Sequence, residues 1–300
     1  SPKMLLFALF SLLCFNPSLS LRICSFNVRS FGEAKIGRAE VLDAVVKIIS
    51  RCDIMLLMEI KENKNRMCPL LVQQLAGPGF KAGTGASSTA RPHGLSLASA
   101  DEPELGMLPF HSKHPLMRIQ SCFFFRRPSV FPTRLFFFVI HCVFNHSVKE
   151  FAIVPLHTAP EMAVREIDEL YDVYLDIKQH WDTENFVFMG DFNAGCSYVP
   201  RKHWKNIRLR TSSEFAWLIG DTNDTTVRRS TSCPYDRIVV SGEQLSQAVV
   251  PHSATIFDFQ TAFQMSEEQA LGVSDHFPVE FELKARGGFF DWIKSKFSKK

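Results

Sequence analysis

Apolar runs long enough to cross a bilayer are missing. Met4 to Phe15 and Leu135 to Phe144 come nearest, and both fall well short of the roughly 20 residues a membrane-spanning helix needs. Internal repeats are missing too, which excludes solenoid and propeller architectures. Histidines and cysteines do not gather as a zinc site would require. A strong basic excess is also lacking. The formal net charge is +3, of which Lys3 supplies one; residues 284–300 hold six Lys or Arg against Asp291 alone, which leaves residues 21–283 at −3. A broadly basic body is thereby excluded, and affinity for phosphates has to come from a few placed cations, a metal or the tail.

What is present is enough to fold. Three hundred residues with 46% hydrophobic content support one α/β domain of about 260 residues. Residues 1–20 combine Lys3, an apolar run and Ser18-Leu19-Ser20, which reads as a secretory signal. Export would permit disulfides among the seven remaining cysteines. Cys24 and Cys52 lie near the starts of neighbouring predicted strands, and a bridge between them is open. Asn145-His146-Ser147 and Asn223-Asp224-Thr225 are glycosylation sequons, consistent with export and frequent by chance.

Leu21 to Val28 alternates as a strand, Arg38 to Ser50 has helical spacing, and Asp53 to Glu59 reads as a buried strand. A second strand–helix–strand unit follows from Phe151 to Leu156, Glu161 to Trp181 and residues 185–190. Later strands are predicted at Asp236–Val240 and Pro278–Leu283. Residues 77–146 differ: a Gly/Ser/Ala/Thr-rich stretch runs to Ser99 without apolar period, and two Phe triplets, 123–125 and 136–138, flank Pro128 and Pro132. The prolines argue against a central strand there.

Two motifs carry the chemistry: Met189-Gly190-Asp191-Phe192-Asn193-Ala194-Gly195 and Ser274-Asp275-His276-Phe277-Pro278-Val279-Glu280. Each sets polar oxygens, and in one case an imidazole, beside an apolar strand. Buried carboxylates are costly unless paired or metal-bound, so two such clusters point to a hard cation such as Mg²⁺, Mn²⁺ or Ca²⁺. Taken singly, Glu59 would be a solvated strand end, Asp191-Phe192-Asn193 a turn cap and His276 a structural histidine.

Together with Ser25-Phe26-Asn27-Val28, Met58-Glu59-Ile60 and Cys233-Pro234-Tyr235-Asp236-Arg237-Ile238-Val239-Val240, these motifs resemble the endonuclease/exonuclease/phosphatase superfamily, and within it the deoxyribonuclease I family. The resemblance covers residues 21–76 and 147–284. It implies a four-layer α/β sandwich of two packed mixed β-sheets flanked by helices, in a domain spanning 21–284 and followed by a basic tail, 285–300. It implies Mg²⁺ (or Mn²⁺) and Ca²⁺ as cofactors, with Asn27, Glu59, Asp275 and Asp191 around the metal. It also makes His157, and His276 paired with Asp236, the acid/base groups, with Asp191 orienting metal or water.

Asn193 would contact phosphate, and Lys61 and Tyr198 would touch DNA; a solvated lysine and a packed tyrosine are the plain alternatives. Asp224 and Thr231 would help a structural Ca²⁺ site. The resemblance pairs Cys196 with Cys233, which leaves Cys68, Cys122 and Cys142 over. In family members the stretch matching 77–146 holds middle strands, DNA-contacting loops and the glutamate partner of the second histidine; none is matched here. The implied activity is secreted, low-specificity endonucleolysis of DNA to 5′-phosphate and 3′-hydroxyl ends. The implied context is extracellular or apoptotic chromatin, with nuclear access during cell death, by a monomer. The rival reading is a catalytically silent DNA- or surface-binding chain. In the tail, Phe289, Ile293 and Phe297 among lysines suit a short amphipathic helix touching membrane or DNA, or a disordered solubilising end.

Overall fold

The computed structural model describes residues 20–61, Leu71, 148–180 and 183–284, together with the backbone of three strands between 106 and 142. The signal reading, apart from Ser20, the tail, Asn145 and Cys68 lie outside the described residues.

One sheet has the order β10-β11-β1-β2-β3, built from Thr255–Ile256, Val279–Leu283, Leu21–Phe31, Ile54–Ile60 and Gly106–Pro109. The other has the order β4-β5-β6-β7-β9-β8, built from Met117–Phe125, Leu135–Cys142, Glu150–Pro155, Phe186–Asp191, Asp236–Ser241 and Phe215–Trp217. Each is mixed: β1 runs parallel to β2 and antiparallel to β11, while β6 runs parallel to β7 and β7 antiparallel to β9.

Alternation within the strands explains the layers. Ile23, Leu56 and Met58 of the first sheet pack with Ile153, Val187, Met189 and Ile238 of the second, forming the core between the sheets. The alternate residues Cys24, Phe26, Met55 and Leu57 face outward onto Val41, Val45 and Ile48 of the helix Ala39–Ile49. On the opposite side Val154, Phe186 and Phe188 meet Ile167, Leu170 and Tyr174 of the helix Ala163–His180. Strands covered on both faces must be apolar on both, which is why β2 and β7 read as continuous hydrophobic runs. Helix, sheet, sheet and helix make the four-layer sandwich expected.

Segment 77–146 requires a correction. Three strands lie inside it: β3 pairs antiparallel with β2, β4 with β5, and β5 with β6. The two Phe triplets face each other in register, Phe123 opposite Phe137 and Phe124 opposite Phe136. In sequence Pro128 and Pro132 come after the end of β4 and before the start of β5, outside the described strands.

Both disulfide pairings are present, Cys24–Cys52 and Cys196–Cys233, with Cα separations of 6.1 and 5.8 Å. Gly190 sits at φ 142°, where an added Cβ would lie 2.1 Å from the Leu156 carbonyl oxygen. That close approach brings the end of β7 against the end of β6 and the residue after Leu156, His157.

Candidate active site

Strand polarity gathers the polar residues at one end of the sandwich. Asn27 lies in β1, Glu59 near the end of β2 and Asp191 at the end of β7; His157 follows β6, Asp236 opens β9 and His276 precedes β11. The Asn27 Nδ2 donates both to Glu59 Oε1 at 2.9 Å and to Asp191 Oδ2 at 3.1 Å. One neutral amide thus holds two carboxylates together. Glu59 is fixed from its other oxygen by the Ser30 backbone N–H, at 2.8 Å. Burial pushes Glu59 upward, but the Asn27 amide, His157 and the Ser30 N–H hold its pKa below the ordinary value.

Two imidazoles face this pair. His157 Nε2 lies 3.7 Å from both Glu59 Oε1 and Asp191 Oδ2, and His276 Nε2 lies 3.5 Å from Asp191 Oδ2. On its other side His276 Nδ1 meets Asp236 Oδ2 at 2.7 Å. Burial acts to lower the His276 pKa, but the carboxylates of Asp236 and Asp191 outweigh it and raise the group to about 10. Burial pushes Asp236 upward against the pull of His276. Among the described residues nothing accepts a hydrogen bond from the His157 ring.

Several residues that the sequence reading did not single out brace this site. Ser274 Oγ donates to the Asn27 carbonyl at 2.6 Å and accepts from the His276 N–H at 3.1 Å. Thr225 Oγ1 accepts from the Tyr235 and Asp236 N–H groups. Lys35 Nζ donates to the carbonyls of Val28 and Val273, tying β1 to the turn that carries His276. Burial and Arg29 lower the Lys35 pKa to about 8. Ser274 heads one of the two chemical motifs, so its signal was available; Lys35 carries none, and Thr225 stands out only as the end of a sequon. Four non-glycine residues here hold positive φ: Arg29 at 44°, Ser30 at 52°, Glu59 at 60° and Asn193 at 47°.

The remaining expected residues are placed unevenly. Asn193 is buried and donates through Nδ2 to the Thr158 carbonyl, 3.0 Å away. Asp275 stands apart from the compact Asp191, Asp236 and His276 group, half-exposed with Arg29 Nε 3.5 Å away. Lys61 is exposed just past β2. Tyr198 is 39% exposed, its ring centroid 5.3 Å from that of Tyr235. Asp224 Oδ1 accepts from Thr226 and from the Cys233 N–H, while the Thr231 carbonyl accepts from Thr226 Oγ1. This loop is therefore closed by its own hydrogen bonds.

The donor set fits a hard cation. Its ligands are oxygens: the carboxylates of Glu59 and Asp191 share the Asn27 amide, while Cys24, Cys52, Cys196 and Cys233 are all committed to disulfides.

This constellation at the open end of a two-sheet sandwich is what comparison with known proteins resolves. The profile of the endonuclease/exonuclease/phosphatase family matches residues 24–276. The chain belongs to that family. Among its curated relatives, deoxyribonuclease gamma of Mus musculus is 48% identical over 305 residues, covering 100% of this chain and 96% of the relative. Deoxyribonuclease-1 of Sus scrofa is 44% identical over 281 residues, covering 89% and 93%. Among solved structures, D. rerio TDP2 complexed with single strand DNA product gives a TM-score of 0.56 at 13% identity, covering 88% of this chain and 98% of that one. The human Nocturnin catalytic domain with bound sulfate anion gives 0.52 at 15%, covering 89% and 94%. At these identities the solved structures establish the family fold alone.

Proposed function

We propose that this chain is a divalent-metal-dependent endodeoxyribonuclease that hydrolyses DNA to 5′-phosphate and 3′-hydroxyl ends with low sequence specificity. The observation that carries the reading is the Asp236–His276 pair facing the Asn27-bridged carboxylates Glu59 and Asp191, in a chain 48% identical to a deoxyribonuclease.

Hydrolysis needs an activated water, neutralisation of charge on the phosphoryl oxygens and a proton for the departing 3′ oxygen. Glu59 and Asp191, joined by Asn27, would hold Mg²⁺ or Mn²⁺, with Asp275 turning from Arg29 to complete the set; the ion supplies charge neutralisation when bound. Asp236 fixes the Nδ1 of His276, so Nε2 is the atom left to exchange a proton with substrate. His157, whose Nε2 lies 3.7 Å from the same Asp191 oxygen that His276 approaches, takes the other proton transfer. Asn193 meets phosphate, Tyr198 and Lys61 touch DNA from the minor groove and along the phosphates, and the loop of Asp224 and Thr231 takes a structural Ca²⁺. Export, action on extracellular or apoptotic chromatin as a monomer, and membrane or DNA contact by the tail complete the reading.

Plasmid nicking with Mg²⁺ and Ca²⁺ tests it. Nicking should require the cations, stop with chelator, and fall by about 10²-fold or more in Glu59→Ala and Asp275→Ala. Nicking that persists in chelator, or near-normal nicking by both variants, would overturn the assignment. One observation favours a second reading, a DNA-binding chain of weak or absent catalysis: His157 Nε2 stands 3.7 Å from both Glu59 and Asp191, beyond hydrogen-bond distance of either. Duplex binding without nicking would select it.

A further inference from the structure

The rings of His276, Tyr235 and Tyr198 form a path out of the site, with centroids 6.2 and then 5.3 Å apart. Three residues beyond Tyr198 the chain enters the 3₁₀ helix Arg201–Asn206. Residues 198–210 carry five Lys or Arg and no acidic residue, in a body whose net charge is negative.

These cations are not equivalent. Arg208 is committed to Asp168 and Asp172, and Arg210 to Asp221. Arg201, Lys202 and Lys205 are exposed and, among the described residues, form no ion pair. In a 3₁₀ helix residues three apart lie on one face, which aligns Lys202 with Lys205. Their axial offset of about 6 Å is close to the rise of two nucleotides, about 3.4 Å each, along a duplex axis.

The support is firm. Trp204, between the two lysines, packs edge-on against Trp217 with ring centroids 5.4 Å apart, and the buried Arg237 guanidinium lies 5.7 Å from the Trp204 ring. Cations on a fixed element lose little freedom when they meet a polyanion.

We propose that Arg201, Lys202 and Lys205 form an outer phosphate track for duplex DNA, extending the substrate footprint beyond Tyr198. The inference rests on the nuclease reading. It explains how a body of negative net charge holds a polyanion: the track is unpaired, while neighbouring arginines are neutralised by carboxylates.

The test compares the full chain with the triple variant Arg201→Gln, Lys202→Gln, Lys205→Gln. Anisotropy titrations of a labelled duplex, with chelator present to prevent cleavage, are run from about 50 to about 200 mM salt. Each lost phosphate contact should make the slope of log Kd against log salt shallower by about 0.9, so two or three lost contacts shift it by about 2–3. Binding at the lower salt should weaken at least tenfold, with the unfolding temperature unchanged. A slope parallel to that of the parent, a lowered unfolding temperature that accounts for the loss, or weakened binding to anionic vesicles without any change toward duplex would overturn the track. Hydrolysis of a small activated phosphodiester, which cannot reach the track, should be equal in both proteins. If neither protein hydrolyses it while the duplex slopes differ, the nuclease reading fails and the track stands.

Discussion

His276 has two ring nitrogens and one of them is already taken. Asp236 holds Nδ1, leaving Nε2 toward Asp191. Asp236→Asn keeps the shape of the side chain but removes the charge that sets the tautomer, so nicking should fall by about 10²–10⁴-fold; rate assays paired with circular dichroism would separate this from misfolding. Gly190→Ala is expected to act through the backbone. Its Cβ would meet the Leu156 carbonyl at 2.1 Å from an unfavourable φ, so a loss of more than about 3 kcal/mol is expected in denaturant unfolding. Glu59, Asp191, Asp236 and His276 were legible because motif and strand end coincide. Lys35 and Thr225 were not, because their partners are backbone groups brought close only by the fold. Asp275 was placed in the metal set by its motif, yet its half-exposed carboxylate faces Arg29.

The helix Ala163–His180 carries an unusual group beneath the loop that follows His157. Glu166 is 3% exposed, and its Oε1 meets no hydrogen-bond partner among the described residues. Burial, opposed by the Ala159 N–H, raises its pKa from 4.5 to about 7. A carboxyl with a raised folded-state pKa contributes stability that is complete below pH 4.5 and is lost as pH rises through about 7. Glu166→Gln should therefore unfold at a higher temperature than the parent above that pH, by a few degrees, with the gap closing toward pH 4.5. Thermal scans across pH would find no such convergence if the carboxyl stayed ionised. The Cys196–Cys233 bridge spans 37 residues and should contribute about 3–4 kcal/mol in the chain-entropy model; peptide mapping without reduction should recover it intact. Strand and helix positions in the matched parts of the chain were readable to within a few residues, because both faces of each central strand are apolar. The strands of 77–146 were not, because prolines in a connection look the same in sequence as prolines in a strand.

On the scale of the molecule, one end of the sandwich supplies chemistry and the two outer helical layers supply cover. β3, β4 and β5 complete both sheets, so cooperative unfolding of the full chain is expected by calorimetry. Catalysis is a separate matter. Replacing residues 77–146 with the corresponding stretch of mouse deoxyribonuclease gamma should raise nicking by about 10²–10⁴-fold if that stretch supplies a partner for the His157 ring; equal rates would show that His157 needs none. The backbone conformation at Arg29, Ser30, Glu59 and Asn193 has a further consequence. An L-residue held there costs about 1–2 kcal/mol that glycine would escape, and the four positions lie in or beside the proposed catalytic groups. Breeding this protein for heat resistance alone would reward glycine wherever that relief exceeds the side-chain bonds and chain entropy lost with the change. The survivors of such a selection would be sturdier and progressively less able to cut, so any campaign to toughen the enzyme must screen for cleavage in every round.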